Sequence, residues 1–221
     1  QRDSLPDALR PQIELAIEVC RAYGIPAIQV AGFAADDILG ALARQAGEQG
    51  YKVVVVSGDK DLLQLVGGPI QVYDPMKDIM YDEDTVLTLK GIKPSQVADW
   101  LGLRGDATDN IPGVEGVGDK TAIELLKRHG SMEQALEYYR ERLADRADDI
   151  RAYAKAVDAR KDKSEKVKPP KGVKVVEANL FAQQERALAC RELARLDTRA
   201  PLALDAEAMR CKPHEPAQLV P

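Results

Sequence analysis

Between Gly105 and Thr121 the chain reads Gly-Asp-Ala-Thr-Asp-Asn-Ile-Pro-Gly-Val-Glu-Gly-Val-Gly-Asp-Lys-Thr. Asp106 and Asp109 stand three positions apart, a spacing that on a helical turn sends both carboxylates to one side. Pro112 and three glycines, Gly113, Gly116 and Gly118, follow, and a helix is expected from about Asp119. Glycine adds no Cβ and tolerates positive φ, so this run lets the backbone come close to a ligand. Its amides, with the N-terminus of the next helix, offer a seat for phosphate. Lys120 and Thr121 open that helix. A carboxylate pair suited to a cation, beside a backbone suited to phosphate, is chemistry for cutting a phosphodiester. A calcium loop is excluded, since the sixth and twelfth positions from Asp106 need glycine and glutamate and hold Ile111 and Val117. For the glycines alone, a plain turn between helices is the alternative.

Two upstream groups add carboxylates. Gly58-Asp59-Lys60-Asp61 and Gly32-Phe33-Ala34-Ala35-Asp36-Asp37 each put two aspartates close together. Clustered carboxylates repel one another, and a divalent cation relieves the repulsion; an all-oxygen site suits Mg²⁺ or Mn²⁺. Asp-x-Asp on its own is common, and acidic residues opening a helix also stabilise its N-terminus. Cys20, Cys190 and Cys211 are scattered and His129 and His214 lie far apart, so a zinc site is not expected. A reducing cytoplasm fits that pattern. No Ser/His/Asp or Cys/His arrangement offers a nucleophile.

The elements that must hold these groups follow from periodicity. Residues 8–23 and about 35–49 read as helices, the first with Ile13, Ala16, Ile17 and Cys20 on one face. Ile28–Val30 reads as a short strand, and Val53–Val56, a run of four valines, as a strand buried on both faces, as in a parallel sheet. Strand, helix, strand is a βαβ unit, with ligands expected at the carboxyl ends of the strands. Residues 61–65 read as a short helix, 70–73 and 79–81 as a hairpin, and Asp82 as the cap of a helix running to Leu89. Helices are expected over 94–103, 120–129, 131–139 and 148–158. Val173–Val176 reads as a strand, 180–196 as a final helix, and the proline-bearing tail 199–221 as poorly ordered.

At 221 residues the chain is long enough for one large domain or two smaller ones. Its net charge of −5 is unevenly spread: residues 1–118 carry 10 Lys/Arg against 18 Asp/Glu, and residues 119–174 carry 15 against 11. An acidic protein is a poor nonspecific DNA coat; an acidic half beside a basic half makes sense if the acidic half holds cations. Residues 160–174 hold seven basic and two acidic residues with Pro169-Pro170, which reads as a basic loop that is either a solvated linker or a phosphate contact. No apolar run approaches a membrane span and no signal peptide is visible.

Gly105-Asp106-x-x-Asp109-Asn110-Ile111-Pro112-Gly113 with Gly116-x-Gly118-x-Lys120-Thr121 resembles the helix–three-turn–helix motif of the 5′-nuclease family. That family includes the 5′-to-3′ exonuclease domain of bacterial DNA polymerase I and the flap endonucleases. The two upstream groups agree with it in order, and the resemblance covers roughly residues 5 to 136. It implies an α/β fold: a partial parallel-sheet, PIN-like (resolvase-like) nuclease core over 1–88, then an all-α helix–three-turn–helix DNA-binding domain over 89–198 and a linker or tail over 199–221. It implies two-metal phosphodiester hydrolysis with Mg²⁺ or Mn²⁺. Asp36 is then a ligand of the first ion, and Asp59, Asp61 and Asp109 are ligands of the second, with Asp37 and Asp106 supporting the cluster. Gly113, Gly116, Gly118, Lys120 and Thr121 are the implied DNA contacts, with a monovalent cation at the hairpin. The implied partner is double-stranded DNA with a 5′ end or flap, with a polymerase domain in the same polypeptide. Two departures lead to the expectation of an impaired nuclease: the family motif has glutamate where Ala34 stands, and the chain begins after a segment that carries further aspartates in the family. The competing expectation is a helix–hairpin–helix module that binds DNA without cutting it. A phosphatase using an aspartate nucleophile would not need the glycine hairpin.

Overall fold

A computed structural model describes residues 6–160, 162 and 165–212. The sequence-based reading of a tail over 199–221 and of the basic loop therefore lies partly outside the described residues, at 213–221 and at 161, 163 and 164. The chain divides into two compact units, residues 1–53 with 197–221 and residues 54–196.

The first unit contains α1 (Arg10–Ala22) and α2 (Ala35–Glu48). Both fall where the apolar periodicity predicts them, but α1 leaves Ile13, Leu15 and Val19 exposed, because nothing among the described residues covers its apolar face. The predicted strand at Ile28–Val30 is absent: this stretch finds no ladder partner and runs as irregular chain. β propensity without a neighbouring strand makes no ladder. The described residues after Asp197 make hydrogen bonds within this unit. Gln45 donates from its side-chain amide to the Leu202 carbonyl at 3.0 Å and accepts from the Leu204 N–H at 2.8 Å, and the Lys212 N–H reaches the Gly24 carbonyl at 3.1 Å.

Ala34 is the N-cap of α2, in extended conformation (φ −73°, ψ 157°) and with no side-chain acceptor for the first-turn amides. Serine there would supply one, worth about 1 kcal/mol. Ala34→Ser is expected to raise the urea midpoint accordingly; an unchanged midpoint would mean those amides already have partners.

In the second unit a three-stranded sheet runs in the order β1 (Val53–Val56), β2 (Ile70–Asp74), β3 (Ile79–Tyr81), with β2 and β3 antiparallel. The hairpin is where the sequence puts it. β1 departs from expectation: Val55 is buried, but Val54 and Val56 are 48% and 62% exposed. β1 ends the sheet order, and among the described residues only one of its faces is covered, so four successive valines do not report burial on both sides. A 3₁₀ turn (Lys60–Leu65) follows β1 and drives Leu62, Leu63 and Leu65 into the core.

The helices α3 (Glu83–Lys90), α4 (Val97–Arg104), α5 (Asp119–His129), α6 (Met132–Arg142), α7 (Ala147–Asp158), α8 (Val175–Ala182) and α9 (Gln184–Ala194) complete this unit. Asp82 caps α3 through the Thr85 N–H and Ser131 caps α6 through the Gln134 N–H, both as predicted. Their shared core includes Leu101, Leu103, Leu126, Met132, Ile150 and Leu180, each essentially inaccessible and each worth roughly 1.5–3 kcal/mol of burial. α4 and α9 touch at Gly102, where a Cβ would lie 2.8 Å from the Arg191 backbone. The predicted strand at 173–176 is instead the start of α8. Lys174 is its N-cap, and the Glu177 carboxylate accepts from the Lys174 N–H. Local capping chemistry outweighs valine's strand preference there. The single helix predicted over 180–196 is broken at Gln183 into α8 and α9.

Candidate metal centre and nucleic-acid interface

α4 stops at Gly105, whose φ of +77° ends the helix. Asp106 and Ile111 then exchange two N–H···O bonds of 2.7 Å, closing a tight loop. Asn110 sits in that loop at φ 57°, a conformation asparagine tolerates well. Asp106 Oδ1 accepts from the Thr108 N–H at 3.0 Å, locking the turn. The spacing predicts a helical turn for Asp106 and Asp109, but the bridge between Asp106 and Ile111 closes a non-helical turn there instead. The bridge-closed loop still turns both carboxylates to one side. There they meet Asp61 from the 3₁₀ turn: Asp61, Asp106 and Asp109 each offer an oxygen, all within 4.8 Å of one another.

The electrostatics of this triad are lopsided. Asp61 and Asp106 are 9% and 4% exposed, and Asp61 Oδ1 and Asp106 Oδ2 are buried without a well-formed hydrogen bond. What faces both is the Lys60 ammonium, 3.5 Å from Asp61 Oδ1 and 2.5 Å from Asp106 Oδ2. Burial pushes the Asp61 carboxyl up to about 6; Lys60 opposes this, and the neighbouring Asp59, Asp106 and Asp109 charges reinforce it. For Asp106, burial acts upward, but the Lys60 hydrogen bond, the Thr108 amide and the charges of Lys60 and Arg104 together hold it below the usual carboxylate range. Burial works against the Lys60 ammonium, yet its pairing with Asp106 and the surrounding aspartates raise its pKa overall.

Three converging carboxylates, with two buried oxygens faced by no donor other than the Lys60 ammonium, fit a hard divalent cation. The other predicted ligands are placed differently. Asp59 is exposed and spends Oδ1 on the Asp61 N–H at 3.0 Å, capping the 3₁₀ turn, so it is not one of the three that converge. Asp36 and Asp37 are half-buried in the first turn of α2, and Asp37 Oδ1 accepts from the Asp197 N–H at 2.8 Å.

The hairpin after the triad is braced by residues to which the sequence assigns no role. Val114 donates to the Leu103 carbonyl at 2.9 Å, and a turn closes from the Val117 N–H to the Val114 carbonyl at 3.0 Å. The buried Asn179 amide donates to the Glu115 carbonyl at 2.7 Å, and Gln183 accepts from the Glu115 N–H at 3.1 Å. The Glu115 carboxylate takes both hydrogen bonds from Arg160, the first residue of the predicted basic loop. Gly113 and Gly116 have φ of +66° and +81°, and Gly118 is the N-cap of α5. Lys120 is exposed and Thr121 half-buried on the first turn of α5. Trp100 donates to Asp119 at 2.8 Å, and Arg104 lies 4.4 Å over the Trp100 ring while pairing with Asp119 at 3.2 Å. This fixes the α5 N-terminus against α4.

Two family models match consecutively: one described as 5′-3′ exonuclease, N-terminal resolvase-like domain, over residues 1–91, and one described as 5′-3′ exonuclease, C-terminal SAM fold, over residues 92–217. A 5′-3′ exonuclease of Aquifex aeolicus is 43% identical over 137 residues, which is 62% of this chain and 47% of that protein. The DNA polymerase I of Rhizobium leguminosarum is 34% identical over 99% of this chain and 19% of its own length, and that of Pseudomonas aeruginosa 37% over 97% and 21%. The chain thus spans less than half of these curated relatives. Among solved structures, the T5 5′-exonuclease with bound zinc superposes with a TM-score of 0.67 at 20% identity, covering 90% of this chain and 65% of that one. A T5 flap endonuclease complex with DNA and metal ions gives 0.65 at 20% identity, covering 90% and 64%. These superpositions establish a shared fold: a resolvase-like part with a small sheet, and a helical part. No helix among the described residues is long and apolar enough to cross a membrane.

Proposed function

The chain belongs to the 5′-3′ exonuclease family, and on that premise we propose that it is the nuclease portion of a DNA-processing protein that hydrolyses phosphodiesters at a 5′ end or 5′ flap. The observation carrying the proposal is the triad of Asp61, Asp106 and Asp109, which bring one oxygen each within 4.8 Å of one another, with Asp61 Oδ1 and Asp106 Oδ2 buried and faced by no donor other than Lys60. These three residues would hold one divalent ion, Mg²⁺ or Mn²⁺, with Asp59 beside them. Asp36, supported by Asp37, is assigned to a second ion by resemblance. Bound divalent ions supply a water of lowered pKa and offset the negative charge gathering on the phosphate. The protein's own contribution is to hold the acceptor oxygens in place, through the 106–111 bridge and the 3₁₀ turn.

The hairpin at Gly113, Gly116 and Gly118, with Lys120 and Thr121, would grip duplex phosphates, and a monovalent cation would sit against its carbonyls. Backbone contacts of this kind set register without reading sequence, so the substrate is recognised by its structure. The match with polymerase I sequences over nearly the whole chain supports a polymerase domain in the same polypeptide; on this reading the protein acts in replication and repair, in the cytoplasm. On this reading residues 1–88 are the nuclease core and residues 89–198 the helical DNA-binding part, a division supported by two family models that meet at residues 91 and 92.

The test is cleavage of a 5′-flap duplex by the full-length protein with Mg²⁺ or Mn²⁺. Asp61→Ala and Asp109→Ala are each expected to lower the rate by at least about 100-fold, since even partners one shell further out cost 10–100-fold. Salt-dependent DNA binding with no cleavage under any divalent ion would favour the non-catalytic binding module instead.

A further inference from the structure

We propose that Lys60 is a built-in counter-ion of the Asp61–Asp106–Asp109 triad, occupying the cation's place in the metal-free protein and leaving Asp106 when a divalent ion enters. The inference rests on the reading of that triad as a metal centre. Lys60 Nζ lies 2.5 Å from Asp106 Oδ2 and 3.5 Å from Asp61 Oδ1, the same two buried oxygens that no other donor satisfies. A divalent ion bonds its oxygens at about 2.0–2.6 Å. An ammonium 2.5 Å from the same oxygen repels an ion bound there and competes with it for Asp106 Oδ2. Lys60 has a way out, because its side chain is 28% exposed whereas that of Asp106 is 4% exposed, and its stem of four carbons is flexible. Its place in the chain, between Asp59 and Asp61 at the start of the 3₁₀ turn, keeps it tethered beside the site after it moves. Lys60 therefore does two opposed things: it stabilises the empty triad against self-repulsion, and it weakens metal binding by competing for the same oxygens.

The test uses Lys60→Met, which keeps the stem and removes the charge, in the full-length protein at fixed pH and ionic strength. Mn²⁺ binding by calorimetry is expected to tighten by at least about tenfold, the lower bound that repulsion between close charges sets even at the dielectric of water. The melting temperature in EDTA is expected to fall below that of wild type, and saturating Mn²⁺ to restore it. Asp109→Ala, measured alongside, reports on the metal centre itself. If Asp109→Ala loses Mn²⁺ while Lys60→Met binds it equally or more weakly than wild type, the counter-ion role is overturned and the metal centre stands. If neither wild type nor Lys60→Met binds Mn²⁺, both readings fall. Should Lys60→Met not fold even with Mn²⁺, Lys60→Arg decides: a guanidinium grips carboxylates by two hydrogen bonds, so competition predicts weaker Mn²⁺ binding than wild type, and unchanged binding overturns the proposal.

Discussion

Asp61→Asn will make the metal-free protein more stable at pH 8 by about 3 kcal/mol and will leave it a poor cation site. Burial holds the Asp61 carboxyl at about 6 in the folded chain, against an ordinary value of 3.8. A folded-state pKa raised in a carboxylate means that the native protein holds its proton more tightly than the unfolded one. Below pH 3.8 the group is neutral in both states and carries no penalty. Between 3.8 and about 6 the unfolded chain ionises first, and stability drains away at up to about 1.36 kcal/mol per pH unit. Above about 6 the full cost remains, about 3 kcal/mol for a carboxyl moved from 3.8 to about 6. Asparagine, permanently neutral, removes that cost. Asp106 works in the opposite sense: its depressed pKa contributes stability above the ordinary value that is lost on acidification through the folded one. Between about 4 and about 6 Asp61 costs stability as the pH rises, while His129, whose pKa burial depresses below 6.5, acts in the opposite sense, so the Asp61 contribution is the difference between Asp61→Asn and wild type. Urea titrations in EDTA at pH 4 and pH 8 separate the two contributions. Equal stability of Asp61→Asn and wild type at both values would refute the assignment.

The same proton bears on metal binding. A cation entering the triad needs Asp61 ionised, so below about pH 6 it must displace a proton. A site that is costly to keep charged when empty is one whose stability has been set aside for binding.

Much of this arrangement was legible from residue types and spacing, and the misses have physical causes. The helices at α2, α3, α5 and α6 carry their own signals: first-turn acids in α2 and α3, side-chain caps Asp82 and Ser131, and glycines Gly91 and Gly130 closing α3 and α5. The three segments rich in aspartate were recognisable because carboxylates so close together need a cation. What failed was inference from β-branched residues. Val53–Val56 formed a strand with one open face, Ile28–Val30 formed none, and Val173–Val176 went into a loop and α8. Strand formation depends on a neighbour, which a local window does not contain. The supports of the hairpin were equally invisible: Asn179 and Gln183 act on Glu115 across 64 and 68 residues. Lys60 was in plain view between two aspartates, and its charge was the available signal.

Gly113→Ala is expected to destabilise the protein by roughly 2–4 kcal/mol and, in the fraction that remains folded, to loosen the triad. Gly113 adopts φ +66°, where an L side chain is strained, at a cost of order 1 kcal/mol or more. The added methyl has nowhere to go: an ideal Cβ lies 2.4 Å from the Gly105 amide nitrogen and 2.6 Å from the Arg104 carbonyl carbon. Both are backbone atoms at the end of α4, so relief requires the main chain to move, typically about a further 1–3 kcal/mol. Gly105 is locked from its own side, with a Cβ position 2.7 Å from the Ile111 carbonyl oxygen. The two strands of chain flanking the Asp106–Asp109 loop are thus in backbone contact through two glycines, and widening one displaces the carboxylates between them. Gly118→Ala is the matched control, since Gly118 has φ −93° and open space around its Cβ position; it should cost less than about 1 kcal/mol, the scale of a cap substitution. Urea denaturation gives the stability of each variant, and Mn²⁺ calorimetry below the melting transition gives the effect on the site. If the two alanine variants prove equally stable and bind Mn²⁺ equally well, the glycine contact does not position the triad.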